Sequence, residues 1–268
     1  MKVTFLGTGH GSVTECYNTC FTIDKNDEYF LVDSGGGNAI LKQLKDKNIE
    51  LNKIKSIFIS HTHIDHIMGV IWIIRRLVTK YHKKIYTEPL YIYGNDLVIN
   101  AIKEICNLVI PEVFLNIIGN QIKFVEVKDQ DNAKILNNSV TFFDINAAKI
   151  KQFGFFMNFE NDKKFTFIGD EVCNKSTEKY VKNSEWLVAD AFMAGIEAEE
   201  YNPIEKHHHS TVKFTSELAE RLDVKNLILS HATDNNLKNR KRIFIEDSSK
   251  YFHGAIFVPD DLDEIEIE

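Results

Sequence analysis

The segment Ser60-His61-Thr62-His63-Ile64-Asp65-His66 constrains this chain more than any other. It follows Ile54–Ile59, a β-branched and aromatic run that reads as a buried strand. Three imidazoles and a carboxylate therefore fall within six residues at a strand end. In extended backbone, residues two apart point the same way, so His61 and His63 can grip one metal ion. Asp65 and His66, on the turn that follows, can face a second. A polar loop can hold one or two such residues by chance, but hardly the whole HxHxDH spacing behind a buried strand. Neutral imidazole and carboxylate suit zinc, with manganese or iron as alternatives.

The flanking sequence supplies a scaffold. Cys20–Ile23 and Tyr29–Val32 flank the turn Asp24-Lys25-Asn26-Asp27, and Ala39–Asn48 carries a helical apolar pattern. Met68–Tyr81 and Val98–Leu108 read as helices, and Leu90–Tyr93 and Ile122–Val127 as strands. Strands are expected at Ser139–Ile145, Phe153–Phe159, Lys164–Ile168, Trp186–Asp190 and Asn226–Leu229, with helices near Lys175–Val181 and at Thr215–Leu222. This pattern suits two sheets packed face to face with helices outside them. Four prolines in 268 residues, and no linker or low-complexity stretch, predict one domain spanning 1–268.

HTHIDH resembles the signature of the metallo-β-lactamase superfamily, which implies a four-layer αββα sandwich. The resemblance runs along nearly the whole chain. Phe30-Leu31-Val32-Asp33-Ser34-Gly35 resembles the early strand whose aspartate orients the ligand loop without binding metal. Phe167-Ile168-Gly169-Asp170 resembles the strand whose aspartate bridges two metals, and Leu227-Ile228-Leu229-Ser230-His231 the strand ending in the last histidine ligand. The implied metal ligands are thus His61, His63, Asp65, His66, Asp170 and His231, holding one or two ions. Phe5-Leu6-Gly7-Thr8-Gly9 and His209-Ser210-Thr211 resemble the ribonuclease Z branch, in which the histidine assists the scissile phosphate or protonates the leaving group. Read from the residues, Lys206-His207-His208-His209 is a cationic cluster before a helix, with Ser210 or Thr211 available as N-cap, a place that suits a phosphate.

Two departures qualify the resemblance. The family places a further histidine after the strand Ser139–Ile145. This sequence has none between His82 and His207, and Asn146, or Ala148 under other gaps, stands there instead. A weakened two-metal site, a one-metal site and a degenerate enzyme all stay open. Only 23 residues separate Asn146 from Asp170, too few for a tRNA-gripping arm, which counts against transfer-RNA processing.

The expected activity is metal-dependent hydrolysis of a phosphodiester or related small ester, with Asp65 and His209 as catalytic groups. Thioester or lactone hydrolysis, RNA processing, and metal or ligand binding without catalysis are the alternatives. A net charge of −7 argues against nucleic acid as a general partner, and the basic runs at Arg75–Arg76, Lys80–Lys84 and Lys238–Arg242 read as solvated faces. The acidic end, Asp260–Glu268, reads as a solvated tail. Four cysteines without paired spacing, no signal-peptide pattern and no apolar run long enough to span a bilayer predict a cytoplasmic protein with no membrane partner. A homodimer is implied by the resemblance alone.

Overall fold

Asn26 and Asp27 both take left-handed φ, 54° and 62°. Two such residues in succession make the tight turn whose twist matches paired strands, and Asn and Asp tolerate that region best. The turn joins β2 (Cys20–Lys25) to β3 (Glu28–Val32) in antiparallel register, Phe21 opposite Val32 and Ile23 opposite Phe30. The other face-setting strands of this sheet are β1 (Lys2–Gly7), β4 (Ile54–Phe58), β5 (Leu90–Gly94), β6 (Ile122–Glu126) and β14 (Glu264–Glu266). Their order is β14-β1-β2-β3-β4-β5-β6. The computed structural model describes residues 1–159, 163–195, 198 and 209–267. It forms two compact units, the first comprising Met1–Gly7, Tyr17–Val127 and Asp261–Glu268, the second Thr8–Cys16 and Lys128–Asp260.

The second unit carries its own sheet, ordered β13-β12-β11-β10-β9-β8-β7. Its strands are β7 (Asn132–Ile135), β8 (Asn138–Asp144), β9 (Phe153–Asn158), β10 (Lys164–Phe167), β11 (Trp186–Asp190), β12 (Asn226–Ser230) and β13 (Ala255–Phe257). Both sheets follow one scheme. Starting from β14 in one and β7 in the other, three antiparallel pairings are followed by three parallel ones. The sequence shows no internal repeat, so this correspondence is one of topology. It matters because ligands of open α/β sheets gather outside the carboxyl ends of the parallel strands. Asp33 and His61 lie just beyond β3 and β4. Asp170 and His231 lie just beyond β10 and β12, and Asp190 closes β11.

The core of the first unit packs helix α1 (Ala39–Asp46), helix α2 (Ile64–His82) and helix α3 (Asp96–Val109) on the sheet. In α2 the buried stripe is Ile67, Val70, Ile71, Ile73, Ile74, Leu77, Val78 and Tyr81, while Ile64 and Trp72 are exposed. Each fully buried aliphatic residue contributes on the order of 1.5–3 kcal/mol. In the second unit, helices Val212–Arg221 and Leu237–Ser248 bring Leu218 and Phe244 into a core with Leu187, Leu227, Leu229 and Phe252.

Most expected elements are found within a few residues. Three readings need correction. Helix α2 begins at Ile64, so Asp65 and His66 lie in its first turn and not on a separate turn before it. The acidic end is not a solvated tail. Glu264–Glu266 pairs with Lys2–Thr4, burying Ile265 and Ile267 while the glutamates face outward, and Lys2 and Lys47 neutralise Glu264. The alternation Glu-Ile-Glu-Ile was the period-two signal, masked by charge. The run Lys238–Arg242 is not wholly a solvated face, because Arg240 is buried, donating to Thr8 Oγ1 at 2.8 Å. Among the described residues, no helix is long and apolar enough to cross a membrane.

Candidate functional site

In the first unit, β4 delivers Ser60 and His61 into the carboxylate of Asp33. Asp33 takes φ 52°, a left-handed turn directly after β3, and is buried. Its Oδ1 accepts the Ser60 amide at 2.8 Å, and its Oδ2 accepts the Ser60 hydroxyl at 2.8 Å and His66 Nδ1 at 2.8 Å. With its proton given to Asp33, Ser60 Oγ is an acceptor towards His61 Nδ1 at 2.9 Å. Both imidazoles thereby carry the proton on Nδ1 and present Nε2 lone pairs, the arrangement that prepares histidine for a metal.

Ser34 fixes the helix that bears Asp65 and His66. Its hydroxyl donates to the His66 carbonyl at 2.7 Å and accepts the Val70 amide at 2.8 Å, so it bridges one rung of the α2 ladder. Gly69 N donates to Gly35 O at 2.8 Å, and a Cβ at Gly69 would lie 1.8 Å from Ser34 O. The glycine lets strand end and helix touch backbone to backbone. His61 Nε2 and His63 Nδ1 are 2.8 Å apart, and His66 Nε2 and Asp65 Oδ2 are 3.3 Å apart. The four residues of the HxHxDH segment therefore converge within this unit, with His61 and His66 essentially inaccessible to solvent.

In the second unit, Asp190 is the counterpart of Asp33. It is buried at the end of β11, and its Oδ2 accepts the Ser210 amide at 2.7 Å and His209 Nδ1 at 3.2 Å. Its Oδ1 lies 3.5 Å from His231 Nδ1. One carboxylate thus faces the Nδ1 atoms of two imidazoles, leaving their Nε2 atoms for other work. His231 takes φ 59°, a strained conformation for a residue with a side chain, of the kind that persists where the surroundings over-determine it. His231 Nε2 lies 3.5 Å from Asp170 Oδ2, and ligand atoms of Asp170, His209 and His231 all fall within 4.8 Å of one another. Burial by itself lowers the pKa of His209, but its hydrogen bond and ion pair with Asp190 outweigh that and hold it above the ordinary imidazole value. The N-cap of helix Val212–Arg221 is Thr211, whose side chain accepts from the Phe214 amide at 3.3 Å.

Two features escaped sequence reading. Asp190 could have been found, because Trp186–Asp190 is a strand ending in an acid, as at Asp33 and Asp170. Gln152, whose amide contacts Asp170, gives no sequence signal. Asn146, aligned with the absent histidine, is exposed, takes φ 52° and donates to Ser176 Oγ at 2.9 Å. His207 and His208 lie outside the described residues. Histidines locked by carboxylates, beside acids and buried, form a donor set that fits a divalent first-row metal ion.

A family model described as Anti-Pycsar protein Apyc1 matches residues 1–247. The chain belongs to the Anti-Pycsar protein Apyc1 family. It is 24% identical to a ribonuclease Z of Nitrosopumilus maritimus, with all of both chains covered. Its fold is similar to human tRNase Z, short form, with a TM-score of 0.76 at 19% identity, all of both chains covered. It is also similar to a diphosphatase from the PhnP family, with a TM-score of 0.75 at 15% identity, 100% of this chain and 98% of that one. This Apyc1-family chain therefore has the metallo-β-lactamase fold that HTHIDH led one to expect, and along its whole length it resembles proteins named ribonuclease Z.

Proposed function

We propose that this Apyc1-family protein hydrolyses a phosphodiester or related small ester of a phosphorylated small molecule. In this reading His61, His63, Asp65, His66, Asp170 and His231 are the metal ligands, for one or two zinc ions. The observation that carries this reading is the Asp190–His209 pair beside His231 and Asp170. Because Asp190 holds Nδ1 and raises the His209 pKa above the ordinary imidazole value, the ring is favoured in its charged form, which carries a second proton on Nε2 for the reacting group. The relatives named ribonuclease, tRNase and diphosphatase support a phosphorus-centred substrate.

When bound, a divalent ion acidifies water to a pKa of about 7 and neutralises phosphoryl charge. Asp65, in the first turn of α2, orients the attacking water and takes up its proton. His209 donates a proton to the leaving oxygen, and Asp190 stabilises the charged imidazole and fixes its orientation. Asp33 holds His61 and His66 in the ligating tautomer.

A second reading, metal or ligand binding without turnover, is favoured by Asn146 standing at the absent histidine. Untagged protein purified without chelator, assayed for bound metal and for metal-dependent cleavage of phosphodiester, thioester and lactone reporters, separates the two. Phosphodiester cleavage abolished by Asp65→Ala supports the hydrolase. Metal binding without cleavage of any reporter favours the second reading, and undiminished cleavage by Asp65→Ala refutes the role given to that carboxylate.

A further inference from the structure

Asp170 does not stand by itself at the end of β10. Gln152, fully buried just before β9, touches it at two points. Gln152 Nε2 donates to Asp170 Oδ1, and Gln152 Oε1 accepts the Asp170 backbone amide at 3.2 Å. The backbone that carries this side chain is itself held, since the Gln152 main-chain carbonyl accepts the Ile145 amide at 3.1 Å. Gly169 makes the approach feasible. It takes φ 72°, and a Cβ there would sit 2.3 Å from Gln152 Oε1. The two oxygens of Asp170 are thus different. Oδ1 is engaged by the amide, while Oδ2 lies 3.5 Å from His231 Nε2, within the group that includes His209.

We infer that Gln152 is a positioning residue for Asp170, one that makes this carboxylate a ligand through Oδ2 alone. The inference rests on the metal-ligand reading of Asp170 given above. The physical basis is twofold. A carboxylate whose one oxygen accepts a buried N–H loses the rotational freedom it would otherwise spend on binding. It also loses the option of swinging both oxygens onto one ion. In a chain without the usual additional histidine, a fixed carboxylate keeps affinity that a rotating one would forfeit.

The test compares wild-type protein with Gln152→Leu and Gly169→Ala, using Co(II) as the probe. The leucine keeps nearly the same bulk without the amide, and the alanine pushes the amide off Asp170 without altering either polar residue. Affinity comes from calorimetric titration, and ligand geometry from the visible absorption of bound cobalt. Circular dichroism and thermal melting report folding. The expected result is a 10- to 100-fold weaker dissociation constant in both variants, the scale for loss of such an outer partner, with a changed cobalt spectrum. A residue that served folding alone would lower the melting temperature and leave spectrum and affinity as in the wild type. That outcome, in whichever variant folds, overturns the inference. Wild-type protein that takes up no cobalt overturns the metal reading and this inference together.

Discussion

Asp33 and His66 are joined by a 2.8 Å hydrogen bond between two residues almost entirely removed from solvent, and the same carboxylate reaches His61 through Ser60. One strand-end acid therefore sets the tautomer of two proposed ligands. Asp33→Asn is expected to keep the fold, because asparagine tolerates the left-handed φ of that position. Its NH2 group faces a ring nitrogen that must then give up its proton, so metal affinity should fall about 10- to 100-fold. Titration of the variant with zinc checks this, and wild-type affinity would show that Asp33 does not govern the ligands. Asp33→Ala strands buried Ser60 and His66 donors and should cost about 2–4 kcal/mol by denaturant unfolding.

Gly69→Ala tests the contact that seats α2. The added methyl would enter the space of Ser34 O, a backbone atom that cannot turn aside. Overpacking of this kind costs about 1–3 kcal/mol, and the helix must shift away from Ser34. Denaturant unfolding should show that loss, together with weaker metal binding, since Asp65 and His66 move with the helix. Unchanged stability would mean that Ser34 and α2 separate freely.

The pH dependence of stability follows from His209. Its pKa is raised in the folded chain because Asp190 outweighs the effect of burial. A raised value means that the stabilisation is fully present below the unfolded imidazole pKa of about 6.5 and is lost as pH rises through the higher folded value. Metal-free protein should therefore lose stability across that interval, and His209→Gln should flatten the slope. Unfolding free energies measured from pH 5 to 9, about the range that brackets imidazole titration, decide it. Identical slopes in the two proteins would remove His209 as the cause.

Asn146→Ala should leave metal stoichiometry unchanged, because the exposed side chain is spent on Ser176 and Asp144. The substitution places alanine at φ 52° and should cost about 1–2 kcal/mol for that reason. Elemental analysis of the purified variant checks the first point. A lost ion would make Asn146 a ligand and place it where the histidine is missing.

The sequence by itself determined the fold class and the local chemistry. A β-branched run before HTHIDH, the Asn26–Asp27 turn and the strands ending in Asp33, Asp170 and His231 are all set by residues adjacent in the chain. Local patterns of this kind leave a record in spacing and alternation. Tertiary structure decided what distant segments do to one another. Glu264–Glu266 became a strand only because β1, at the other end of the chain, offered its edge. Asp190 became an orienting carboxylate because β11 and β12 are parallel neighbours with Asp190 opposite Ser230, which brings the acid beside His231. Gln152 met Asp170 because Gly169 left room for its amide. A hydrogen bond depends on where two groups are brought in space, and nothing in the spacing of Gln152 along the chain carries that information.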